Sequence, residues 1–576
     1  MHGGLGHGAA CPDIFLRAAC RTSRSACRPS GVFVPSLPAP FSSFETLFFR
    51  GRFVPLCLPR DPQRGGRRVT EAAEPENPML TENELKALAD EGYNRIAVVE
   101  QCLADLDTPL SIYLKLANRA ESFLLESVEG GTRFARYSFI GLPARTKITV
   151  KLTETGPVTE VITDGKVTER VTDTDPLDFI EAFQKRFKIH TPAGLPRFTG
   201  GLVGYFGYDT VRLIEPGKLG KPKADDLGVP DIELLLCDEL VAVDNLAGRL
   251  YFILNVDPRE PDAFLKARRR LRFLKEELAK SVQAPYSGAG TAHEAERPFK
   301  KDDYLKAVIR AKDYIAAGDL MQVQIGQRIE RPFTENPITL YRALRTLNPS
   351  PYMYYYNFGD FYVVGASPEI LVREEKRDGR FIAAIRPIAG TRARGATPEK
   401  DAALAQELKN DPKERAEHLM LIDLARNDIG RIAKTGTVHV TEQYAIERYS
   451  QVQHLVSHVE GEMKDGMTPM DVLKATFPAG TLTGAPKIRA MEIIDELEPV
   501  KRGIYGGAVG YFSYAGEMDM AIAIRTAVIK NKVLYAQAAA GIVADSVPEF
   551  EWKETEMKAR AVLRAAEEAE FGLQGN

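Results

Sequence analysis

The sequence predicts an α+β fold: two antiparallel β-sheets packed as a sandwich with helices outside. Strand-like and helix-like stretches follow one another without a regular β-α-β beat, which favours antiparallel sheets over a doubly wound parallel one. A glycine–aromatic block, Gly200 to Tyr208 (GGLVGYFGY), returns as Gly506 to Tyr514 (GGAVGYFSY). Each copy leads to an apolar strand beginning after an aspartate (Asp231, Asp519), then to a strand containing Leu-Tyr (Leu250-Tyr251, Leu534-Tyr535). The repetition suggests two related strand-rich sheets facing each other, with chance reuse of a glycine-rich strand entry as the simpler alternative.

In chain order, residues 1–78 stand apart. They are rich in Arg, lack Lys, have few acids before Glu71, and hold no helical or strand period. Two readings fit, an Arg-rich, acid-poor targeting peptide or upstream DNA translated from too early a start. Either way the segment is expected to be disordered and is excluded from the fold. Met79 opens an amphipathic start, Leu80 to Ala89. Lys147 to Leu152 alternates as a strand, with Gly156-Pro157 as the following turn. Asp231 to Val243 and Leu250 to Val256 read as strands joined by a hairpin turn at Asn245 to Gly248, and Arg268 to Lys280 as a charged helix. Residues 281–297 are small and polar and read as an exposed linker, which divides the body into segments 79–280 and 298–576. Beyond it, Lys301 to Ala317 is helical and Met321 to Ile329 a strand. Pro398 to Lys409 and Pro412 to Ile432 follow Thr397 and Asp411, each an N-cap with Pro at the first helical position. Pro469 to Ala475, Lys487 to Leu497 and Glu551 to Glu570 complete the helices.

Composition narrows the function. Of 576 residues, 44% are hydrophobic and 27% charged, and the formal charge is −3, so no global basic field recruits nucleic acid. No apolar run approaches the roughly 18–20 residues that span a bilayer. Four of the six cysteines fall before residue 58; Cys102 and Cys237, in the body, sit in no metal or nucleophile motif. A reducing cytoplasm is expected, or a plastid should the first segment be a transit peptide.

Glu414 with Glu417 and Glu551 with Glu554 have i,i+3 spacing, so each pair projects from one helix face. Two such helices meeting would offer hard oxygens to Mg²⁺, although an isolated pair is usually a solvated face. Phe477 to Lys487 (FPAGTLTGAPK) opens a helix and could receive an anion, or simply form a tight turn. Ile388 to Arg392 is another backbone-exposing turn. Arg525, inside an apolar stretch read as one strand from Ala521 to Ile529, needs an anionic partner: a neighbouring acid or a ligand carboxylate. His454 lies among apolar neighbours, where a structural role is the simpler reading.

Together these motifs resemble those of the chorismate-utilising enzymes, and within them the anthranilate synthase large subunits. The resemblance spans 79–576 and rests on LLESVEGG (Leu124 to Gly131), RYSFIG (Arg136 to Gly141), NPSPYM (Asn348 to Met353), GASPE (Gly365 to Glu369), PIAGTR (Pro387 to Arg392), EHLMLIDLARND (Glu417 to Asp428), FPAGTLTGAPK and GIVADS (Gly541 to Ser546). It implies Mg²⁺-dependent amination of chorismate followed by loss of pyruvate. Two positions choose the branch. Water-adding relatives carry a Lys base where this chain has Gln322, and an amide is no base at neutral pH. Aminodeoxychorismate synthases typically carry a nucleophilic Lys where this chain has Ala389.

The resemblance further implies roles. Glu417 and Glu554 would ligate Mg²⁺, with Glu414 and Glu551 nearby or acting through water, and Lys558 would assist. Glu369 would protonate the departing ring hydroxyl, and His454 would serve in pyruvate elimination. Gly390, Thr391, Tyr505, Arg525 and Gly541 would position substrate. Ser127, Asn348, Pro351, Tyr352 and Met353 would form an allosteric pocket for L-tryptophan within a regulatory segment, 79–280, leaving 298–576 as the catalytic segment. No G-x-C-x-G cysteine is present, so ammonia would come from solution or from a separate glutamine amidotransferase subunit. Two departures stand out: Ala539 where the family reads Gly, putting substrate affinity in question, and Ala393 where Pro is usual. The alternatives are an aminodeoxychorismate or isochorismate/salicylate synthase and a non-catalytic tryptophan-sensing scaffold.

Overall fold

The computed structural model describes residues 80–127, 136–285, 290, 293–449 and 452–573. The expectations for residues 1–78, for the end of the LLESVEGG block and for part of the 281–297 linker therefore lie outside the described residues. Residues 75–576 make one compact unit.

Two large, mostly antiparallel sheets carry helices on their outer faces, as the sequence predicts. Each sheet is centred on a pair of strands from opposite halves of the chain. In the first, Ser122–Glu126 pairs with Tyr352–Asn357. Outward on one side run Tyr137–Gly141, Glu239–Asp244, Arg249–Val256 and Arg95–Leu103; on the other run Phe361–Ser367, Thr526–Lys530, Val533–Ile542 and Gln322–Pro332. In the second, Gly201–Phe206 pairs with Ala508–Ser513. It is flanked by Ile232–Cys237, Thr146–Thr153, Gly156–Thr163 and Lys166–Val171, and on the other side by Met518–Ile522, Ile370–Arg377, Arg380–Ile385 and Val452–Glu462.

The strand order reads the same outward from each centre, so the two chain halves are related by a pseudo-twofold axis. The repeated glycine–aromatic blocks lie on that axis, and Gly204 pairs with its own counterpart, Gly510. This corrects the expectation of one copy per sheet: both copies are central in the second sheet, and each half supplies strands to both sheets. A Cβ at Gly204 would fall 2.0 Å from the Glu233 carbonyl oxygen, and one at Gly510 2.0 Å from that of Asp519. Close strand approach therefore requires these glycines.

The central strands are buried on both faces, which is why they read as continuous apolar runs. Val203 and Tyr205 point into the core between the sheets, while Leu202 and Phe206 enter the core beneath the helices. Tyr354 and Tyr356 face inward; Met353 and Tyr355 face outward. Each fully buried large apolar side chain contributes about 1.5–3 kcal/mol.

Three local readings change. Asp231 to Val243 is not one strand: Ile232–Cys237 belongs to the second sheet and Glu239–Asp244 to the first, with Asp238 as the corner. The turn after Thr146–Thr153 falls at Glu154-Thr155, and Gly156-Pro157 starts the next strand. The linker's end is anchored, since Glu296 bridges Glu330 and Arg297 pairs with Glu556 at 2.7 Å.

The halves differ at one place that matters. In the first, Gly156–Thr163 reaches Lys166–Val171 through a tight turn. In the second, residues 386–451 intervene between Arg380–Ile385 and Val452–Glu462. This insertion carries strand Ile388–Ala393, helices Pro398–Asn410 and Pro412–Ile432, and strand His439–Arg448. Asp411 caps the second helix, its carboxylate accepting from the Lys413 and Glu414 N–H groups.

Candidate active site

A cavity of about 230 Å³ opens where the insertion folds over the second half's strands. Its lining brings together Gln322, Glu369, Thr391, Glu417, His454, Tyr505, Arg525 and Lys558, eight of the residues singled out in the sequence.

Glu369 and Arg525 occupy corners where the chain leaves one sheet for the other. Glu369 lies between Phe361–Ser367 of the first sheet and Ile370–Arg377 of the second, Arg525 between Met518–Ile522 of the second and Thr526–Lys530 of the first. The corners are adjacent, because the Ile522 N–H donates to the Glu369 carbonyl at 3.0 Å. Arg525 is thus not inside a continuous strand, and its φ of +52° makes the bend. Its guanidinium donates to the Lys558 carbonyl. Among the described residues no carboxylate lies within ion-pair distance of it, and burial pushes its pKa down. Glu369 is 8% exposed, and burial pushes its carboxyl up to about 8. The Thr481 hydroxyl opposes that shift, but its geometry completes no hydrogen bond, and its oxygen is buried without a protein partner.

The Tyr505 phenol is held protonated, chiefly by burial. His454 Nδ1 lies 2.8 Å from the Gly390 carbonyl and 3.2 Å from the Thr391 hydroxyl. A carbonyl only accepts, so Nδ1 carries the hydrogen and Nε2 is left as the basic nitrogen. Burial lowers the imidazole pKa, which keeps it neutral near pH 7. Gly390 has φ +64° and sits at a bulge in strand Ile388–Ala393; a Cβ there would come within 3.0 Å of Glu414. Gly541 stays outside the lining but faces the Gln322 and Gln324 amides, 2.6 and 2.9 Å from where its Cβ would stand. Ala539 lies in extended strand Val533–Ile542 opposite Gly326, so its methyl is accommodated and no left-handed backbone is demanded there.

Of the four helix carboxylates only Glu417 lines this cavity, and Glu414 and Glu554 are near enough to act on it electrostatically. Burial, then Glu414 and the more distant Glu554, raise the Glu417 pKa, although Glu417 is open to solvent within its cleft. Burial and Glu554 likewise raise Glu551, against the Ser546 hydroxyl. Glu414 pairs with Arg392 at 3.0 Å and Glu554 with Lys558 at 2.7 Å. Among the described residues no three such side chains converge into a ready metal cage. An open set of hard oxygens fits Mg²⁺, which keeps several waters and takes few protein ligands. The glycine-rich segment is not an open anion loop. Thr481 and Leu482 line the cavity, Gly484–Ala485 pairs with Gln322 and Val323, and Lys487 turns away to Asp428 at 2.8 Å.

Sequence reasoning missed the support behind the lining. Buried Arg502 is bound bidentately by Glu498 (2.6 and 2.9 Å) and donates to the Leu482 and Gln324 carbonyls at 2.7 and 3.0 Å. Glu498 also accepts from the Gly326 N–H at 2.7 Å. The i,i+4 spacing of Glu498 and Arg502 was the available signal.

A second cavity, of about 90 Å³, is lined by Ser127, Pro351, Tyr352 and Met353 together with Tyr137, Arg197, Arg373, Tyr511 and Asp519. The Ser127 hydroxyl is buried there without a protein partner. Asn348 is not in this lining; it ends helix Pro337–Leu347 and donates to the Ser350 hydroxyl at 3.2 Å.

Comparison with known proteins gives the family and agrees with the fold. Residues 127–564 match the chorismate binding enzyme family, and the chain belongs to it. Anthranilate synthase component 1 from Neisseria meningitidis serogroup A is 56% identical over 498 residues, covering 86% of this chain and all of the relative. The Pseudomonas aeruginosa protein of the same name is 54% identical over 501 residues, again covering 86% of this chain and all of the relative. Within the family, then, the chain groups with the anthranilate synthase component 1 enzymes. The crystal structure of anthranilate synthase component I from Streptococcus pneumoniae superposes with a TM-score of 0.66 at 36% identity, covering 81% of this chain and 99% of that one. The menaquinone-specific isochorismate synthase of Escherichia coli shares the fold at 21% identity and a TM-score of 0.61, covering 84% of this chain and 98% of that one.

Proposed function

We propose that the chain converts chorismate and ammonia to anthranilate and pyruvate with Mg²⁺, as the large subunit of a cytoplasmic anthranilate synthase that opens tryptophan biosynthesis. The observation carrying this reading is Arg525, a half-buried guanidinium with no carboxylate partner among the described residues, facing a cavity that it shares with Glu369, whose carboxyl burial holds protonated up to about pH 8. Such a cation calls for a ligand carboxylate in bidentate contact. Chorismate carries two carboxylates; Arg525 and Tyr505 hold one, and the other lies toward Glu417 and Glu554. Those two side chains would hold Mg²⁺, which supplies charge neutralisation for that carboxylate.

Glu369 gives its proton to the ring hydroxyl as the C–O bond breaks, and water leaves. Ammonia adds at the far end of the conjugated diene, on the carbon next to the one bearing the enolpyruvyl ether, and sheds a proton. His454 Nε2 then takes the ring proton as the enolpyruvyl group departs, and the ring becomes aromatic. Thr391 and Gly390 fix that imidazole. Gln322 cannot generate hydroxide and Ala389 cannot attack the ring, which disfavours isochorismate or aminodeoxychorismate as product.

Ammonia comes from a glutamine amidotransferase subunit, and L-tryptophan fills the second cavity, where Ser127 offers its unspent hydroxyl. The purified chain given chorismate, Mg²⁺ and ammonium is expected to produce anthranilate fluorescence, with none from glutamine alone. Isochorismate or aminodeoxychorismate as product would overturn the assignment.

A further inference from the structure

Glu369 stands between two cavities. Beside the reaction cavity lies a second space of about 30 Å³ that shares Glu369, Leu421 and Thr481 with it. Most of its wall is apolar, from Ile370, Leu371, Leu424 and Ile522. Four polar side chains reach it: Glu369, Thr476, Thr481 and Asp428. Thr476 is spent on the Val472 carbonyl at 2.9 Å. Thr481 has a buried hydroxyl with no protein partner. Asp428 is 8% exposed and is held by Lys487 at 2.8 Å, and Lys487 also donates to the Thr476 carbonyl at 3.2 Å. A space that size admits one or two waters, and a buried water typically makes about three hydrogen bonds to otherwise unsatisfied groups.

We propose that an ordered water occupies this space, and that Asp428 and Thr481 fix it against the rear of Glu369 so that the acid's proton sits on the oxygen facing the reaction cavity. Burial pushes the Asp428 carboxyl up and Lys487, at 2.8 Å, opposes that push, so Asp428 accepts one hydrogen of the water. The Thr481 hydroxyl donates to the water's oxygen. The remaining hydrogen points at the rear oxygen of Glu369, which accepts it only while that oxygen is unprotonated. The proton is thereby confined to the front oxygen, where the departing hydroxyl is met. No bond is made or broken at the water, and Asp428 and Thr481 are positioning residues. The inference rests on Glu369 being the acid of the proposed reaction.

Three variants test it, assayed with chorismate, Mg²⁺ and ammonium. Thr481→Val is expected to lower kcat about tenfold, the value of one well-placed hydrogen bond, with KM for chorismate unchanged and the alkaline limb of the pH profile displaced. Thr481→Ser, which keeps the hydroxyl, restores both. Asp428→Asn follows Thr481→Val if it folds; Thr481→Val decides the matter if it does not. A high-resolution crystal structure is expected to show the water. An empty space, or wild-type kcat and pH profile in Thr481→Val beside an inactive Glu369→Gln, overturns the water site alone. Activity retained by Glu369→Gln overturns the acid and the water site together.

Discussion

At the scale of single residues, the site works by holding ordinary groups in unusual protonation states. Burial keeps Glu369 protonated up to about pH 8, and the same effect keeps His454 neutral. The acid form of Glu369 is the competent one, so kcat is expected to fall as pH rises through about 8, and with neutral His454 as the base it is expected to fall again at acid pH as that imidazole protonates. Glu369→Gln removes the proton altogether and should cost at least a hundredfold in kcat, with chorismate binding retained; stopped assays and a binding titration check both. The lone tyrosine-wall serine of the second cavity gives another expectation. Ser127→Phe fills a space of about 90 Å³ and should leave turnover intact while abolishing tryptophan inhibition; equal sensitivity would count against that pocket. The identity of these side chains was legible in the sequence because each residue type stands in a distinctive block. Their environment was not. No pattern in the chain reveals that Arg525 bends at φ +52° out of one sheet into another, since an apolar run looks alike whether it is one strand or two.

At the scale of elements, helix Pro412–Ile432 shows what was readable and why. Thr397 and Asp411 are followed directly by Pro, and both helices begin there. Cap chemistry is local, so local sequence reports it. Which helix face meets which partner depends on tertiary packing, and so the nearness of Glu417 to Glu554 could not be read from spacing alone. Asp411 also receives Arg392 at 2.8 Å, which ties the helix start to the Gly390 bulge. Asp411→Ala is expected to cost about 1 kcal/mol of stability and to weaken Mg²⁺ dependence through the displaced Glu414 and Glu417, measurable as a lower melting temperature and a higher half-saturating Mg²⁺. Glu554→Gln should raise the half-saturating Mg²⁺ and also release Lys558, while its part-exposed side chain disturbs no core; an unchanged Mg²⁺ titration would remove it from the metal site.

At the scale of the molecule, the pseudo-twofold arrangement shows where the two halves differ. The place equivalent to Arg525 in the first half is Asp238, and that corner is closed by Arg95 at 3.3 Å and the Tyr514 hydroxyl at 2.6 Å. The second half leaves its corner open and brings an insertion to cover it. The repeated blocks were legible as a repetition, but their pairing across one axis was not, because register between strands over 300 residues apart in sequence leaves no local trace. Shared sheets also carry a prediction about assembly. Cutting the chain within the 281–297 segment leaves each fragment with half of both sheets and unpaired central strands. Separately expressed fragments are expected to aggregate, and co-expressed ones to co-purify as a folded pair; two independently soluble fragments would contradict the shared-sheet architecture.

The two corners that carry Glu369 and Arg525 have a mechanical consequence. Each is spliced from both layers of the sandwich, so any slip of one layer over the other changes the gap between acid and guanidinium, as moving the blades of shears changes the opening at their tips. On the reading proposed above, a molecule wedged between the layers at a remote end would close down turnover without ever touching the reactants.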